Sequence, residues 1–240
     1  MTSPSRIFFS GLLLAQLAAA QHAVVSGRVT LVDSREQSVR ARKEYSGVVV
    51  WLEPVGAPAP LPAARKYTMS QKGKKFIPHI LAVPVGALVD FPNFDPIFHN
   101  AFSNFSGQSF DTGLYPPGTS HEVKFQRDGV VRVFCNIHAA MSAVIVVVRT
   151  PWFALTKPDG SFRIDGVTPG DYTLKLWHER ASEATLKGFV RRVRVGAEGL
   201  QLEAITISES GYLEVPHNNK HGQEYPPAVP DQSVYPGARK

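Results

Sequence analysis

Short runs of alternating hydrophobic and polar residues, and short runs of continuous hydrophobic residues, recur along most of this chain. Alternation with a period of two is typical of a half-buried strand, and turn residues separate the runs at short spacing. Long helical periodicity is absent from the sequence, and the charged segment 33–44 is predicted to be a loop. The pattern predicts an all-β fold, with its clearest strands at residues 24–32, 47–53, 120–125, 130–134, 143–148 and 171–177.

Proline and glycine mark where the predicted strands divide into groups. A proline- and alanine-rich linker covers residues 54–62, and Thr150-Pro151 ends the most hydrophobic run. Beyond it, Pro158-Asp-Gly160 predicts a tight turn joining a hairpin over residues 153–164. From residue 208 onward, prolines lie among polar residues without any period, which predicts a disordered proline-rich tail over residues 208–240.

The first twenty residues have the three parts of a secretory signal peptide. Arg6 supplies a positive charge, residues 7–17 are apolar, and Ala18-Ala-Ala20 offers small residues at a cleavage site. The apolar run is too short for a membrane anchor, and no other stretch of the sequence is long enough to span a bilayer. We therefore expect an exported protein, periplasmic or secreted, without a membrane span.

Composition narrows the class of partner. The chain is 43% hydrophobic, which is enough for real cores, and its formal net charge is +6. Nucleic acid is not expected as a partner of an exported protein. The basic charge favours either steering toward an acidic protein or simply a well-solvated surface, and the sequence leaves both open.

Cys135 is the only cysteine, and it stands in the motif Cys135-Asn-Ile-His138-Ala-Ala-Met141 between two predicted strands. Exported proteins normally pair their cysteines, but a single cysteine cannot form an intramolecular disulfide, so this thiol needs another explanation. A thiolate, an imidazole and a thioether this close together suit a soft metal ion, and His99 is the best candidate for a second imidazole. The alternative for Cys135 is a small buried hydrophobic residue.

Residues 67–149 resemble the cupredoxins, the family of plastocyanin, pseudoazurin and amicyanin. The matching features appear in the family's order: Pro84-Val-Gly86 before a strand, His99-Asn100, Pro117-Gly118 before Val123-Lys-Phe125, and Cys135-x-x-His138-x-x-Met141, whose loop length is like that of amicyanin.

The resemblance implies one type 1 copper ion and a role for each residue around it. His99, Cys135 and His138 would be the equatorial ligands and Met141 the axial ligand. Asn100 would link the two ligand segments, with its main-chain amide near the thiolate.

Two other segments resemble the halves of a carboxypeptidase-regulatory-like, or transthyretin-like, sandwich. They are Ser26-Gly-Arg-Val29 with Val48-Val-Val-Trp-Leu52, and Pro158-Asp-Gly-Ser-Phe162 with Val167-Thr-Pro-Gly-Asp-Tyr-Thr-Leu174. The layout resembles the exported chains called methylamine utilization proteins. It implies a cupredoxin Greek-key β-sandwich inserted in a second, smaller transthyretin-like β-sandwich. The implied parts of the chain are a signal peptide (1–20), the outer sandwich in two halves (21–62 and 150–207), the cupredoxin-like domain (63–149) and the disordered tail (208–240).

These expectations combine into a non-enzymatic one-electron carrier that meets a redox protein transiently. The exposed edge of His138 is the predicted electron port, with Ala139 and Ala140 as the docking surface because small apolar side chains allow close approach. A protein that binds Cu(I) for handling or delivery remains an alternative, as does a β-sandwich interaction module without redox function. A multicopper oxidase would need His-x-His clusters, which the sequence lacks.

Overall fold

The computed structural model describes residues 22–60, 65–104, 107–212 and 217–225. The predicted signal peptide lies outside the described residues. Within them the chain is nearly all β, which confirms the predicted all-β sandwich fold. None of the helices in these ranges is both long and apolar enough to cross a membrane.

The described residues form eighteen strands and two short helices. In chain order they are β1 (Ala23–Val32), α1 (Gln37–Arg42), β2 (Val49–Pro54), β3 (Lys66–Thr68), β4 (Ser70–Gln71), β5 (Phe76–Ile77), β6 (Ile80–Pro84), β7 (Leu88–Pro92), β8 (Phe102–Ser103), β9 (Phe110–Asp111), β10 (Ser120–Lys124), β11 (Gly129–Phe134), β12 (Ser142–Val148), β13 (Phe153–Leu155), β14 (Ser161–Val167), β15 (Gly170–Trp177), α2 (Glu183–Gly188), β16 (Arg191–Val195), β17 (Leu200–Gln201) and β18 (Ile205–Ser208).

The outer sandwich takes its strands from both ends of the described chain. In one sheet β1 lies between β14 on one side and β17 and β18 on the other, and the second sheet has the order β13-β2-β15-β16. Alternate residues of β1, among them Val25, Val29 and Leu31, are buried between these sheets. They pack with residues such as Leu52 of β2 and Leu174 of β15, so the alternation in the sequence builds one shared core.

The inner sandwich is formed by the chain between those two ends. Its sheets have the orders β10-β7-β3 and β6-β12-β11-β8-β9. Its core contains Val89 and Phe91 of β7, Phe125 and Ile145, and it also contains Cys135. This core is distinct from that of the outer sandwich, although the domain boundaries given above remain a prediction.

Strand β12 has a hydrophobic core on each of its two faces. Its residues Ala143, Ile145 and Val147 belong to the inner core. The alternate residues Val144, Val146 and Val148 pack against Val49 and other residues of the outer sandwich. A strand covered on both faces is a continuous hydrophobic run, which explains why residues 143–148 show no alternation. The two sandwiches therefore meet face to face across β12.

The structure differs from the predicted elements in the charged loop and in the hairpin. The segment predicted as a loop contains α1, which buries Val39. The turn before Ser161 forms as expected, with Gly160 N donating to Lys157 O over 2.8 Å. The predicted hairpin is wrong, however, because β13 pairs with β2 and β14 pairs with β1, in opposite sheets of the outer sandwich. Each strand contributes apolar side chains from its own side of the core.

A buried carboxylate joins the end of the outer sandwich to neighbouring loops. Glu209, which follows β18, is 5% exposed. It accepts hydrogen bonds from His178 Nε2 over 2.8 Å, from Arg180 Nε over 2.9 Å and from Ser34 Oγ. Burial raises the pKa of Glu209, but these donors outweigh it and lower the pKa to about 2.

We predict that Glu209→Gln lowers the free energy of unfolding by about 3 kcal/mol at pH 7, because it leaves Arg180 without its buried counter-charge. In the unaltered protein this contribution is complete above the ordinary pKa of 4.5 and is lost as pH falls toward about 2. Urea unfolding at a series of pH values would measure both effects.

Glu183→Gln is the matched control, because Glu183 is an exposed carboxylate paired with Lys187 on α2. It is expected to leave stability unchanged. Equal stability of the two variants at pH 7 would contradict the assigned role of Glu209.

Candidate metal centre

His99 is held by a tightly bonded segment that follows β7. Asn93 is fully buried, its Nδ2 donates to Ile97 O over 2.8 Å, and its Oδ1 accepts from Asp95 N over 3.0 Å. The His99 main chain pairs with that of Tyr115, and Tyr115 N donates to His99 O over 2.9 Å. These bonds fix the direction of a histidine side chain that is itself fully buried.

Cys135 and Met141 begin and end the loop that joins β11 to β12. Cys135 N donates to Met141 O over 3.1 Å, and Met141 N donates to His138 O over 2.9 Å. Both side chains are fully buried in the inner core. The loop is therefore a closed turn on an antiparallel hairpin, and it is this turn that places His138 beside Cys135.

Three predicted ligands converge. Cys135 Sγ lies 3.7 Å from His99 Nδ1 and 3.8 Å from His138 Nδ1. The three ligand atoms all lie within 4.8 Å of one another, and the centroids of the two imidazole rings are 4.9 Å apart. Met141 lies next to Cys135 through their main-chain bond, so all four predicted residues occupy one end of the inner sandwich.

The thiol of Cys135 is strongly acidified. Burial raises its pKa, but hydrogen bonds with His138 and His99, and with the main-chain amides of Asn100 and Ile137, outweigh burial and lower the pKa to about 5. This lowering favours the thiolate, which is the form that binds metals.

Asp95 orients the imidazole of His99. The Asp95 carboxylate accepts from His99 Nε2 over 2.8 Å, and it also accepts from the main-chain amides of Gly73 and Lys74. Since Nε2 is bonded to this carboxylate, Nδ1 is the nitrogen that faces the sulfur. A carboxylate behind a metal-binding histidine is a common way of fixing its tautomer and orientation.

Asn100 connects the two ligand segments. Its Oδ1 accepts from Asn136 N over 2.7 Å, and its Nδ2 donates to Asp111 Oδ1 over 3.2 Å. Asn100 is fully buried, so its amide replaces solvent as the partner of Asn136. The residue after His99 is thereby bonded to the residue after Cys135.

The solvent side of the centre is apolar. His138 is half-buried, and Ala139 and Ala140 are exposed. Four large hydrophobic side chains near the ligands in sequence are also exposed. They are Phe94 and Phe98 before His99, Leu114 beside Tyr115, and Ile137 beside His138. Phe94 is the most exposed of them, at 62%.

The sequence did not single out two features of the site. Asp95 has no motif beyond its place four residues before His99. Residues 217–225 were predicted to belong to a disordered tail. The structure instead places this segment against the loop of residues 135–141, which we call the ligand loop. There His217 Nε2 donates to Ala139 O over 2.8 Å. Its aromatic residues at 217 and 225 were the available signal.

No protein-family model and no curated protein matches this chain. Among solved structures, it is similar to a copper-containing nitrite reductase from Thermus scotoductus SA-01, at 27% identity over 40% of this chain and 25% of that one, with a TM-score of 0.34. It thus spans a quarter of that enzyme's length.

A purple cupredoxin from Nitrosopumilus maritimus is 23% identical over 35% of this chain and 99% of its own, with a TM-score of 0.31. Amicyanin from Paracoccus versutus is 16% identical over 40% of this chain and 96% of its own, with a TM-score of 0.33.

We predict that Asp95→Asn lowers the affinity of the centre for Cu(I) by about 10- to 100-fold. The new side-chain amide is an uncharged acceptor for His99, and its NH₂ group cannot accept the hydrogen bonds that the carboxylate receives from the main-chain amides of Gly73 and Lys74. Competition against a chromophoric Cu(I) chelator would measure the change. Asp90→Asn is the control, since Asp90 is a carboxylate of β7 bonded to Ser120 and paired with Lys66. Equal affinities for the two variants would contradict the role given to Asp95.

Proposed function

We propose that this protein is an exported one-electron carrier that binds a single copper ion through His99, Cys135 and His138, with Met141 as a weak axial ligand. The observation that carries the proposal is the convergence of one thiolate and two imidazole nitrogens within 4.8 Å of one another. Two histidines and a cysteine with an axial methionine are the donor set of a blue copper site.

The chemistry of the donors fits copper. Hydrogen bonds with the two histidines and with two main-chain amides lower the pKa of Cys135, which favours the thiolate that copper binds. The bond from His99 Nε2 to Asp95 leaves Nδ1 as the donor toward the centre. When copper is bound to such donors it exchanges one electron by alternating between Cu(I) and Cu(II).

The chain's own part is to fix the donors and to exclude water. His99, Cys135 and Met141 are fully buried, and their main chains are bonded to Tyr115 and to each other. Because the ligands are already close together, we expect little rearrangement of the protein between the two oxidation states, which favours rapid electron transfer.

The half-buried edge of His138 supports its role as the electron port. It lies in the only part of the ligand set that reaches toward solvent among the described residues, next to exposed Ala139 and Ala140. The surrounding apolar side chains suit a small, transient interface with a redox protein. The excess of basic residues in the chain favours an acidic partner.

Burial also favours a carrier over a copper-handling protein. Handing an ion to another protein needs a ligand that the acceptor can reach. Here the sulfur and one imidazole are fully buried, and His138 alone is half-buried. We therefore propose that electrons, and not copper ions, pass through this surface.

The copper-loaded mature protein should show an intense thiolate-to-copper absorption band, the paramagnetic resonance of a type 1 site and a reversible one-electron couple. Cys135→Ser should abolish the band and the couple, because a hydroxyl is a poor ligand for copper, while the circular dichroism of the sandwiches stays unchanged. A colourless protein that binds only Cu(I) would overturn the carrier proposal.

Met141→Leu serves as the matched variant in the same loop. It removes the thioether but keeps a hydrophobic side chain of similar volume in the core. We expect it to retain the absorption band and to raise the reduction potential. An unchanged potential would argue against axial ligation by Met141.

Ala140→Lys tests the port without knowledge of the physiological partner. A lysine beside His138 adds like-charge repulsion between two copies of a basic protein, so we expect electron self-exchange to slow by about tenfold at low ionic strength. Nuclear magnetic resonance line broadening in mixtures of oxidised and reduced protein would measure it.

Ala184→Lys adds the same charge on the exposed face of α2 in the outer sandwich. It should leave self-exchange near that of the unaltered protein, and both variants should keep the same reduction potential. Equal slowing by the two lysines would point to total charge and would contradict a port at His138.

A further inference from the structure

A short C-terminal segment lies directly on the loop that carries Cys135 and His138. We call residues 217–225 the strap. Tyr225 OH donates to Cys135 O over 2.8 Å, and His217 Nε2 donates to Ala139 O over 2.8 Å. The strap therefore bonds to the main chain of the ligand loop at two points, its first residue and the residue after His138.

The aromatic rings of the strap continue the packing of β11. The ring of His217 stacks on that of Phe134, with centroids 3.8 Å apart and an angle of 27° between the planes. The ring of Tyr225 meets His217 edge to face, with centroids 5.2 Å apart. Phe134 immediately precedes Cys135, so this stack packs beside the main chain that carries the sulfur.

Lys220 bonds both to the ligand loop and to the network behind it. Its main-chain N donates to Asn136 Oδ1 over 3.0 Å, and its Nζ lies 2.7 Å from Asp111 Oδ2. The other oxygen of Asp111 accepts from Asn100, whose own oxygen accepts from Asn136 N. The strap thus closes a ring of hydrogen bonds through the residues that follow His99 and Cys135.

We propose that His217, Lys220 and Tyr225 are positioning residues for the metal centre. The strap bonds to the acceptor atoms of Cys135, Asn136 and Ala139, which an exposed loop would otherwise offer to water. It thereby keeps the ligand loop in one conformation, with Cys135 and His138 at their observed separation before any ion is bound. The effect on the bound metal rests on the proposed function, whereas the effect on the loop does not.

The first test uses the metal-free mature chain, from residue 21 to residue 240. The double variant His217→Phe with Tyr225→Phe keeps both aromatic rings but removes both donors to the ligand loop. Because each lost hydrogen bond costs a factor of about five in the equilibrium between closed and open loop, we expect the amides of residues 135–141 to exchange at least about tenfold faster.

Tyr172→Phe is the matched control. It also removes a tyrosine hydroxyl that donates to a main-chain oxygen, Thr168 O at 2.6 Å, but it lies in the outer sandwich. It should leave exchange in residues 135–141 unchanged. Unchanged exchange in the double variant, or the same acceleration in the control, would overturn the proposal.

The second test measures release of Cu(I) to a chelator in excess and the position of the thiolate-to-copper band. We expect about tenfold faster release and a shifted band in the double variant, with neither change in Tyr172→Phe. Faster amide exchange with identical copper release and an identical band would overturn the positioning role toward the metal. If no variant and no unaltered protein binds copper, the proposed function fails, and the exchange experiment alone decides whether the strap positions the loop.

Discussion

The metal centre depends on how firmly the hairpin of β11 and β12 is held. Strand β12 is buried between two hydrophobic cores, and six of its seven residues are fully buried. A one-residue slip along β11 would exchange the side chains that face the two cores and would also displace the loop between them. Because the loop closes through the bond from Cys135 N to Met141 O, the register of the strands determines where the sulfur lies.

A second constraint is the need to satisfy polar groups at the buried end of the inner sandwich. Asp95, His99 and Asn100 are all buried, and each has a hydrogen-bond partner. Unpaired, these groups would cost about 1–3 kcal/mol each. The same bonds that remove this cost also orient the imidazole toward the sulfur and tie its segment to the ligand loop. Stability of the fold and preorganisation of the site therefore come from one set of contacts.

The sequence was sufficient for the all-β class and for the cluster of Cys135, His138 and Met141, because strand alternation and residue spacing are local signals. His99 lies 36 residues before Cys135, and its role was implied by the family resemblance. Asp95 could not be found in this way, since its role depends on the amides of Gly73 and Lys74, more than twenty residues earlier. The strap was missed for a related reason. Its polar, proline-flanked composition is typical of disorder, and its partners are distant in sequence: the ring of Phe134, the carboxylate of Asp111 and the acceptors of the ligand loop. The pairing of β13 with β2 likewise depends on a strand about 100 residues away.

The outer core is built from two distant pieces of chain, and we expect this to set an order of assembly. Residues 66–148 contain every strand of the inner sandwich, so that half can close its core from contiguous chain. Strands β1 and β2 emerge earlier during synthesis but gain no core until β13 to β18 follow, across a loop of about 100 residues. We expect Val144, Val146 and Val148, which pack against the outer sandwich in the folded protein, to form an exposed hydrophobic sheet surface until then, and this surface would favour self-association.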